Sequence, residues 1–314
     1  MDQGHLGFKE QFSNTLGKGL RQAVSLHECS NFNIGGRADY FFAASTLEEL
    51  IQAVRLVKQT GIPYYIIGGG YNLLFDDDGF RGLIIKNCVK GIEKTGEVKI
   101  EAFSGSSIRE LVEFCVAHSM GEFEFLAGIP GTVGGAVFGN AGAFDLAIGS
   151  FLTEALVLDK NGEQVRVDRD YFAFDYRQSR LRSSKELLLR ATFMLQEREP
   201  QEIKDEISGN LAKRRKKHPP KGVACAGSYF KNPVLPEGRR IPAAYYLDKV
   251  GAKNLSIGGA AVFSDHANFI INQHAATTKD ILSLALELKN RVKQKFGIQL
   301  EEEVIYLLAE PPAT

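Results

Sequence analysis

A run of eighteen residues, LAGIPGTVGGAVFGNAGA at positions 126–143, constrains this chain more than any other feature. Six of its residues are glycine, at 128, 131, 134, 135, 139 and 142, and none is charged. Glycine at this density lets the backbone turn at positive φ and lets a ligand come close to main-chain N–H groups. Successive N–H groups in such turns form concave nests for anions. A flexible linker of the same glycine content is polar and rich in serine. Here Leu126, Ile129, Val133, Val137 and Phe138 are interleaved with the glycines, so the stretch is suited to burial. It reads as a packed backbone platform for a flat cofactor bearing phosphates. Its spacing matches neither G-x-G-x-x-G nor G-x-x-x-x-G-K-[ST], and neither pattern occurs elsewhere in the chain.

The rest of the chain limits what such a platform serves. Lys+Arg and Asp+Glu balance at 38 each, so no global field favours nucleic acid or a membrane surface. No apolar run approaches the length of a membrane span, and the N-terminus MDQGHLGFKEQFSN lacks the basic and apolar regions of a secretory signal. The four cysteines (29, 88, 115 and 225) form no C-x-x-C pair, which suits reduced thiols in a cytoplasmic protein and not a zinc site. With 314 residues, two or three domains are expected.

Residues 1–25 are polar and weakly patterned and read as a loosely attached N-terminal arm. ADYFFAA reads as a strand, and Thr46 with Glu49 as the start of a helix that Gly61 and Pro63 end. The strand 64–67 runs straight into Gly68-Gly69-Gly70-Tyr71-Asn72-Leu73-Leu74, a second candidate anion nest at the carboxyl end of a strand, where α/β sheets bind ligands. Ser107 and Glu110 open another helix, and Asp159-Lys160-Asn161-Gly162-Glu163 reads as a hairpin turn. Asp76-Asp77-Asp78-Gly79 reads as a solvated turn, not a metal site. Residues 202–217 read as a charged helix stopped by Pro219-Pro220, its basic end complementing the helix dipole. Thr277 to Asp280 opens the last helix, Gly297 ends it, and 298–308 reads as a final strand.

The motifs IIGGGYNLL, LAGIPGTVGGAVFGNAGA, FDYRQSRL, AGSYFKNP, HANFIIN and FGIQLEEEV occur in this order over residues 28–308. Together they resemble the UDP-N-acetylenolpyruvoylglucosamine reductase (MurB) family of bacterial peptidoglycan precursor synthesis. Only residues 181–190 separate FDYRQSRL from the next strand, as in the shorter, type II branch. The resemblance implies an α+β and α/β fold: a two-part FAD-binding module of the vanillyl-alcohol-oxidase type (26–86 and 87–200), then an α+β substrate-binding domain (201–314). It implies FAD as cofactor, NADPH as hydride donor and enolpyruvyl-UDP-GlcNAc as substrate, in the cytoplasm, with no nucleic acid, membrane insertion or obligate protein partner.

Residue by residue, the resemblance places the catalytic set at Arg177, Ser228 and Glu303. It places FAD contacts at Gly68, Gly69, Gly70, Tyr71, Asn72 and Leu73, and at Gly128, Ile129, Pro130, Gly134, Gly135, Asn140, Ala141 and Gly142. Residues 68–74 are expected to take the pyrophosphate and 128–143 to run along the flavin, so that a side chain at Gly134 or Gly135 expels the cofactor before it disturbs the fold. Tyr176, Lys231, Asn232, His266 and Asn268 are the substrate-binding candidates. The implied chemistry suits these residue types. Hydride delivered to a terminal vinyl carbon leaves negative charge on the next carbon and its carboxylate, which a planar arginine fork stabilises. A buried glutamate has its pKa raised toward acid function, and an enolate-like carbon is basic enough to take a proton from a serine hydroxyl.

Out of context, Arg177 reads as a surface arginine, Ser228 as a turn residue and His266 as a structural histidine. Strand alternation does not choose between Glu302 and Glu303. The family pattern has Ser where Tyr71 stands, a Thr that is missing from Ser30-Asn31-Phe32-Asn33-Ile34-Gly35-Gly36, and Arg where Ile305 stands. Two other readings remain open: another flavin-dependent oxidase or dehydrogenase on the same scaffold, and a non-catalytic UDP-sugar-binding relative.

Overall fold

In the computed structural model, which describes residues 3–310 apart from Glu237, the N-terminal segment is not a loose arm. It forms helix α1 (Gln3–Leu16) and strand β1 (Arg21–Ser25). The anchor is a pair of aromatic residues one helical turn apart. Phe8 stacks edge-on at 5.4 Å from Tyr40 and Phe12 at 5.0 Å from Phe42, both residues of strand β2 (Arg37–Ala44). Two side chains in an otherwise polar segment leave little periodic signal, yet aromatics of this size dominate the burial of a short helix.

β2 leads into α2 (Leu47–Thr60), capped as expected by Thr46, whose hydroxyl accepts from the Glu49 N–H, and closed by Gly61 at φ 70°. Strand β3 (Tyr64–Ile67) follows, then β4 (Leu73–Phe75) and β5 (Phe80–Asn87). The first sheet has the order β1-β2-β5-β3, with β2 and β3 parallel to β5 and β1 antiparallel to β2. A second, wholly antiparallel sheet contains β6 (Ile92–Lys94), β7 (Lys99–Phe103) and the strands Leu187–Met194, Leu152–Leu158 and Gln164–Asp168. The Asp159–Glu163 turn joins the last two of these in sequence as a hairpin. The two lobes share a core: Leu50, Val54 and Val57 of α2 cluster with Leu158 and Leu189 of the second sheet.

Helices α3 (Ile108–Ala117) and α4 (Val133–Phe138) begin side by side. The Ile108 N–H donates to Gly131 O and the Val133 N–H to Ser106 O. The centre of the glycine-rich stretch is therefore a short helix, N-capped by Thr132, and not an extended loop.

Helix α5 (Pro200–Arg215) follows the boundary expected at residue 200 and packs against the second lobe. Ile203 is buried, Ile207 and Leu211 pack against the core of the second lobe, and Asn210 Nδ2 donates to Glu124 O. Arg198 reinforces the contact with 2.9 Å bonds to both Glu124 and Glu206. The apolar contacts of α5 thus fall on the second lobe. The remaining domain wraps α6 (Ala243–Lys249) and α7 (Thr278–Phe296) around Tyr229, Phe230, Leu247 and Phe269, with a small antiparallel sheet between residues 224 and 272. α7 has the expected Thr277–Asp280 capping box and Gly297 stop.

The expected final strand over 298–308 shrinks to Ile305–Leu307. Before it, the Lys231 N–H donates to Glu301 O and the Glu303 N–H to Tyr229 O, which pulls 301–303 onto the 229–231 segment. The chain then crosses to pair in parallel with β4. The C-terminal domain is thus tied back to the glycine loop of the first lobe.

Candidate active site

Two glycine loops meet at the join of the lobes. A methyl group on Gly68 would lie 2.4 Å from Thr132 Oγ1, and one on Gly70 would lie 1.8 Å from the Cys29 carbonyl oxygen. Gly70 also sits at φ 70°, so both its conformation and its neighbour require glycine. The SNFNIGG segment forms the floor beneath this loop: the Asn31 N–H donates to Gly70 O, and Ser30 Oγ donates to Leu73 O at 2.8 Å. Tyr71 lays its ring over Gly69, covering backbone that a serine would leave open. Across the junction, Gly128, Pro130 and Gly135 are exposed, and nothing lies within 4 Å of where a Gly131 side chain would begin.

Arg177 sits in a turn bonded to the same stretch. Its turn is built by the glycine-rich stretch itself: Asn140 Nδ2 donates to Asp175 O at 2.8 Å and Ser179 Oγ to Phe138 O at 2.7 Å. These bonds hold Arg177 at φ 55°, a conformation side-chain-bearing residues seldom adopt. Its Nε lies 2.7 Å from Glu303 Oε1. The N–H is not directed along that line and Nε has no hydrogen-bond partner, so the contact is an ion pair at close range and not an aligned hydrogen bond. The structure thereby separates the three glutamates. Glu301 pairs with Lys231 at 3.2 Å, Glu302 with Lys289 at 3.4 Å, and Glu303 alone meets Arg177. Burial raises the Glu303 pKa, opposed by Arg177, Lys231 and Arg182. Asn72 fixes Glu303 from below: its Nδ2 donates to Glu303 O and its carbonyl accepts from the Ile305 N–H.

Ser228 is half-buried and directly precedes Tyr229, the backbone partner of Glu303, so the C-terminal domain presents both residues on one edge. Tyr176 is flanked by the guanidinium groups of Arg240 at 4.0 Å and Arg177 at 5.3 Å, and its hydroxyl accepts from the Asn232 N–H. Asn232 Oδ1 in turn accepts from the Ala243 N–H.

Not every candidate side chain is free for a ligand. Asn268 is buried and its amide clamps Phe230 from both ends, accepting from the N–H at 3.0 Å and donating to the carbonyl at 2.8 Å. It braces the backbone at Phe230. His266 packs edge-on against His218 and Phe269, and its Nδ1 accepts from the Asn268 N–H, so it belongs to the same brace. Asn140 spends its amide on Asp175 and Gly149, leaving only its backbone for a cofactor. Sequence reading missed Thr132, Arg182 and Arg214. The Thr132 cap had a local signal, a threonine opening an apolar turn; the two arginines had none, because their neighbours come from distant segments.

Comparison with known proteins agrees with this geometry. Residues 38–168 match the model of an FAD binding domain, and residues 218–307 match the C-terminal domain of UDP-N-acetylenolpyruvoylglucosamine reductase. A Clostridium botulinum (strain 657) reductase of that name is 38% identical over 305 residues, covering 95% of each chain. The Syntrophus aciditrophicus reductase is 34% identical over 303 residues, covering 94% of each. The chain belongs to the UDP-N-acetylenolpyruvoylglucosamine reductase (MurB) family. The crystal structure of MurB from Thermus caldophilus superposes with a TM-score of 0.74 at 29% identity, over 91% of this chain and 99% of that one. The fold class implied by the motifs is correct, and the chain is an FAD-dependent oxidoreductase of peptidoglycan synthesis.

The residues present fit FAD as a MurB enzyme requires. The ledge at Gly131 and Gly135 is backbone open on one side, which suits a flat ring at close range. Arg214 lies against Gly128 and Arg182 stands 5.4 Å from the Phe138 ring centre, which brings positive charge to this stretch, and Arg177 and Arg214 carry buried Nε atoms without a hydrogen-bond partner. Among the described residues, no helix is long and apolar enough to cross a membrane.

Proposed function

We propose that residues 68–73 and 128–142 hold FAD and that Arg177, Glu303 and Ser228 reduce the enolpyruvyl group of UDP-N-acetylglucosamine enolpyruvate with NADPH as the hydride source. The Arg177–Glu303 pair carries this reading. Residues 126 apart in sequence, from different domains, meet at 2.7 Å beside the glycine ledge. When bound, FAD supplies hydride to the terminal vinyl carbon. Arg177 then grips the substrate carboxylate, where negative charge accumulates, with a fork that a short, braced turn keeps in place. Glu303, its pKa raised by burial, keeps a proton or hydrogen bond against the same enol system. Ser228 Oγ donates the proton that completes the lactyl ether and recovers one from solvent.

Lys231 lies beside this edge with its side chain largely buried against Glu301, where it offers a cation to the substrate diphosphate. Tyr176 and Asn232 close the wall next to it. A nucleotide sugar and NADPH as substrates place the reaction in the cytoplasm.

Anaerobic half-reactions test this. NADPH bleaches the flavin absorbance band, and enolpyruvyl-UDP-GlcNAc restores it. Ser228→Ala keeps the bleaching and blocks the recovery. Loss of both half-reactions in this variant removes Ser228 from the proton step. Recovery of the wild type by oxygen alone, with no response to the substrate, assigns an oxidase instead.

A further inference from the structure

Arg214, at the end of α5, is half-buried and has no ion-pair partner among the described residues. Its Nη2 donates to Phe125 O at 3.2 Å, while its Nε is buried with no hydrogen-bond partner. Its side chain lies against Gly128, where an added methyl would come within 3.2 Å of Cδ and 3.7 Å of Nε. The guanidinium stands 5.6 Å from the ring centre of Phe144. Partial burial first, and then the neighbouring cation Arg177, lower its pKa. A guanidinium with a buried, unpartnered Nε is costly unless an anion completes the site.

We propose that Arg214 is a further functional residue of the reaction site, compensating the negative charge that the flavin ring acquires on reduction. Hydride brings two electrons and one proton, so the ring gains one negative charge, delocalised over N1 and the C2 carbonyl. A planar, permanently charged fork suits a delocalised anion better than a point charge does. The placement favours the cofactor over the substrate: α5 packs on the second FAD lobe, and the groups Arg214 touches, Phe125, Gly128 and Phe144, flank or belong to the glycine-rich stretch. Ser228, Lys231 and Glu303 come from the C-terminal domain, and none of them is among the groups Arg214 touches. The inference rests on residues 128–143 lining the flavin.

Sulfite adds to oxidised flavin and leaves the same kind of negative charge on the ring, so it is the probe. In the FAD-loaded protein, Arg214→Gln weakens sulfite binding at least tenfold and lowers the flavin midpoint potential, by about 30 mV if the reduced form is destabilised tenfold in a two-electron couple. Arg214→Lys, which keeps the charge, stays closer to wild type. Arg214→Met, similar in length and apolar, repeats the measurement should the glutamine variant fold poorly, and circular dichroism checks both. Unchanged sulfite affinity and potential overturn the proposal, and if binding of the enolpyruvyl substrate weakens tenfold at the same time, Arg214 belongs to the substrate instead. A wild-type protein that takes up no FAD overturns the reading of residues 128–143 along with it.

Discussion

Gly134 and Gly135 are neighbours that a methyl group would affect in opposite ways. At Gly134 it would press to 3.0 Å against the Ser104 carbonyl oxygen, the acceptor for the Gly134 N–H itself. At Gly135 it would meet only Thr132 Oγ1 at 3.6 Å, an ordinary contact, and would face open space. The sequence-based expectation that either substitution expels cofactor before it disturbs the fold therefore meets different surroundings at the two positions: crowded backbone at Gly134 and open space at Gly135. Gly134→Ala lowers the thermal midpoint of the apoprotein. Gly135→Ala leaves that midpoint unchanged or higher, since alanine gains about 1 kcal/mol over glycine inside a helix, and weakens FAD binding at least tenfold. Thermal unfolding of the apoprotein and FAD titration by fluorescence separate the two. The same scale decides among the glutamates, because only contacts across domains single out Glu303.

At the scale of elements, α3 shows how local signals position a site. Ser107 and Glu110 form a full capping box: each side chain satisfies the other residue's backbone N–H. The Ser107 backbone bond is the largest cause holding the Glu110 carboxyl down at about 2, with Lys90 next. The capped end abuts the glycine-rich stretch, with Ser107 bridging to Thr132. Ser107→Ala therefore costs about 1 kcal/mol of stability, read as a lower urea midpoint, and also loosens FAD, because the Thr132 turn loses its neighbour. α5 teaches the opposite lesson. Its composition announces a charged surface helix, and that much is right; which lobe it joins rests on Ile203, Ile207 and Leu211, too few apolar residues to name a partner from sequence.

For the whole molecule, stability depends on segments that look peripheral in sequence. Phe12 is fully buried against Phe42, so Phe12→Ala leaves a cavity in the core shared by the two lobes and costs about 3–5 kcal/mol; a loose arm would cost almost nothing. Calorimetry or denaturant unfolding distinguishes the two. His218 ties α5 to the C-terminal domain by packing against His266 and Phe269. Burial first, then Arg214, His266 and Lys217, pushes its pKa down to about 4 from 6.5. Between those values the unfolded chain binds more protons than the folded one, so stability falls as pH drops from 6.5 toward 4. His266 is shifted the same way, chiefly by burial. His218→Gln narrows the gap between urea midpoints measured at pH 7 and pH 5.

Sequence alone determined the capped starts of α2, α3 and α7 and the glycine stops of α2 and α7, because each signal lies within a few residues of the helix end; α3 ends at His118, before the Gly121 that reads as its stop. It also marked both glycine loops, since a dense glycine run interleaved with apolar residues has few physical uses. Tertiary structure alone decided how these parts combine. Asn72, Asn140 and Asn268 are equivalent polar residues in sequence, and each became a brace because its amide found backbone partners across a loop or a domain. Arg177 and Glu303 became a pair because residues 301–303 join the C-terminal domain just before the chain crosses to β4, which sets Glu303 between Asn72 of the first lobe and the Arg177 turn of the second. The glycine-rich run at 126–143 needed both: its composition required close approach of a backbone, and only the fold showed that its centre is a capped helix with Ser104 against one glycine and open space beside the next.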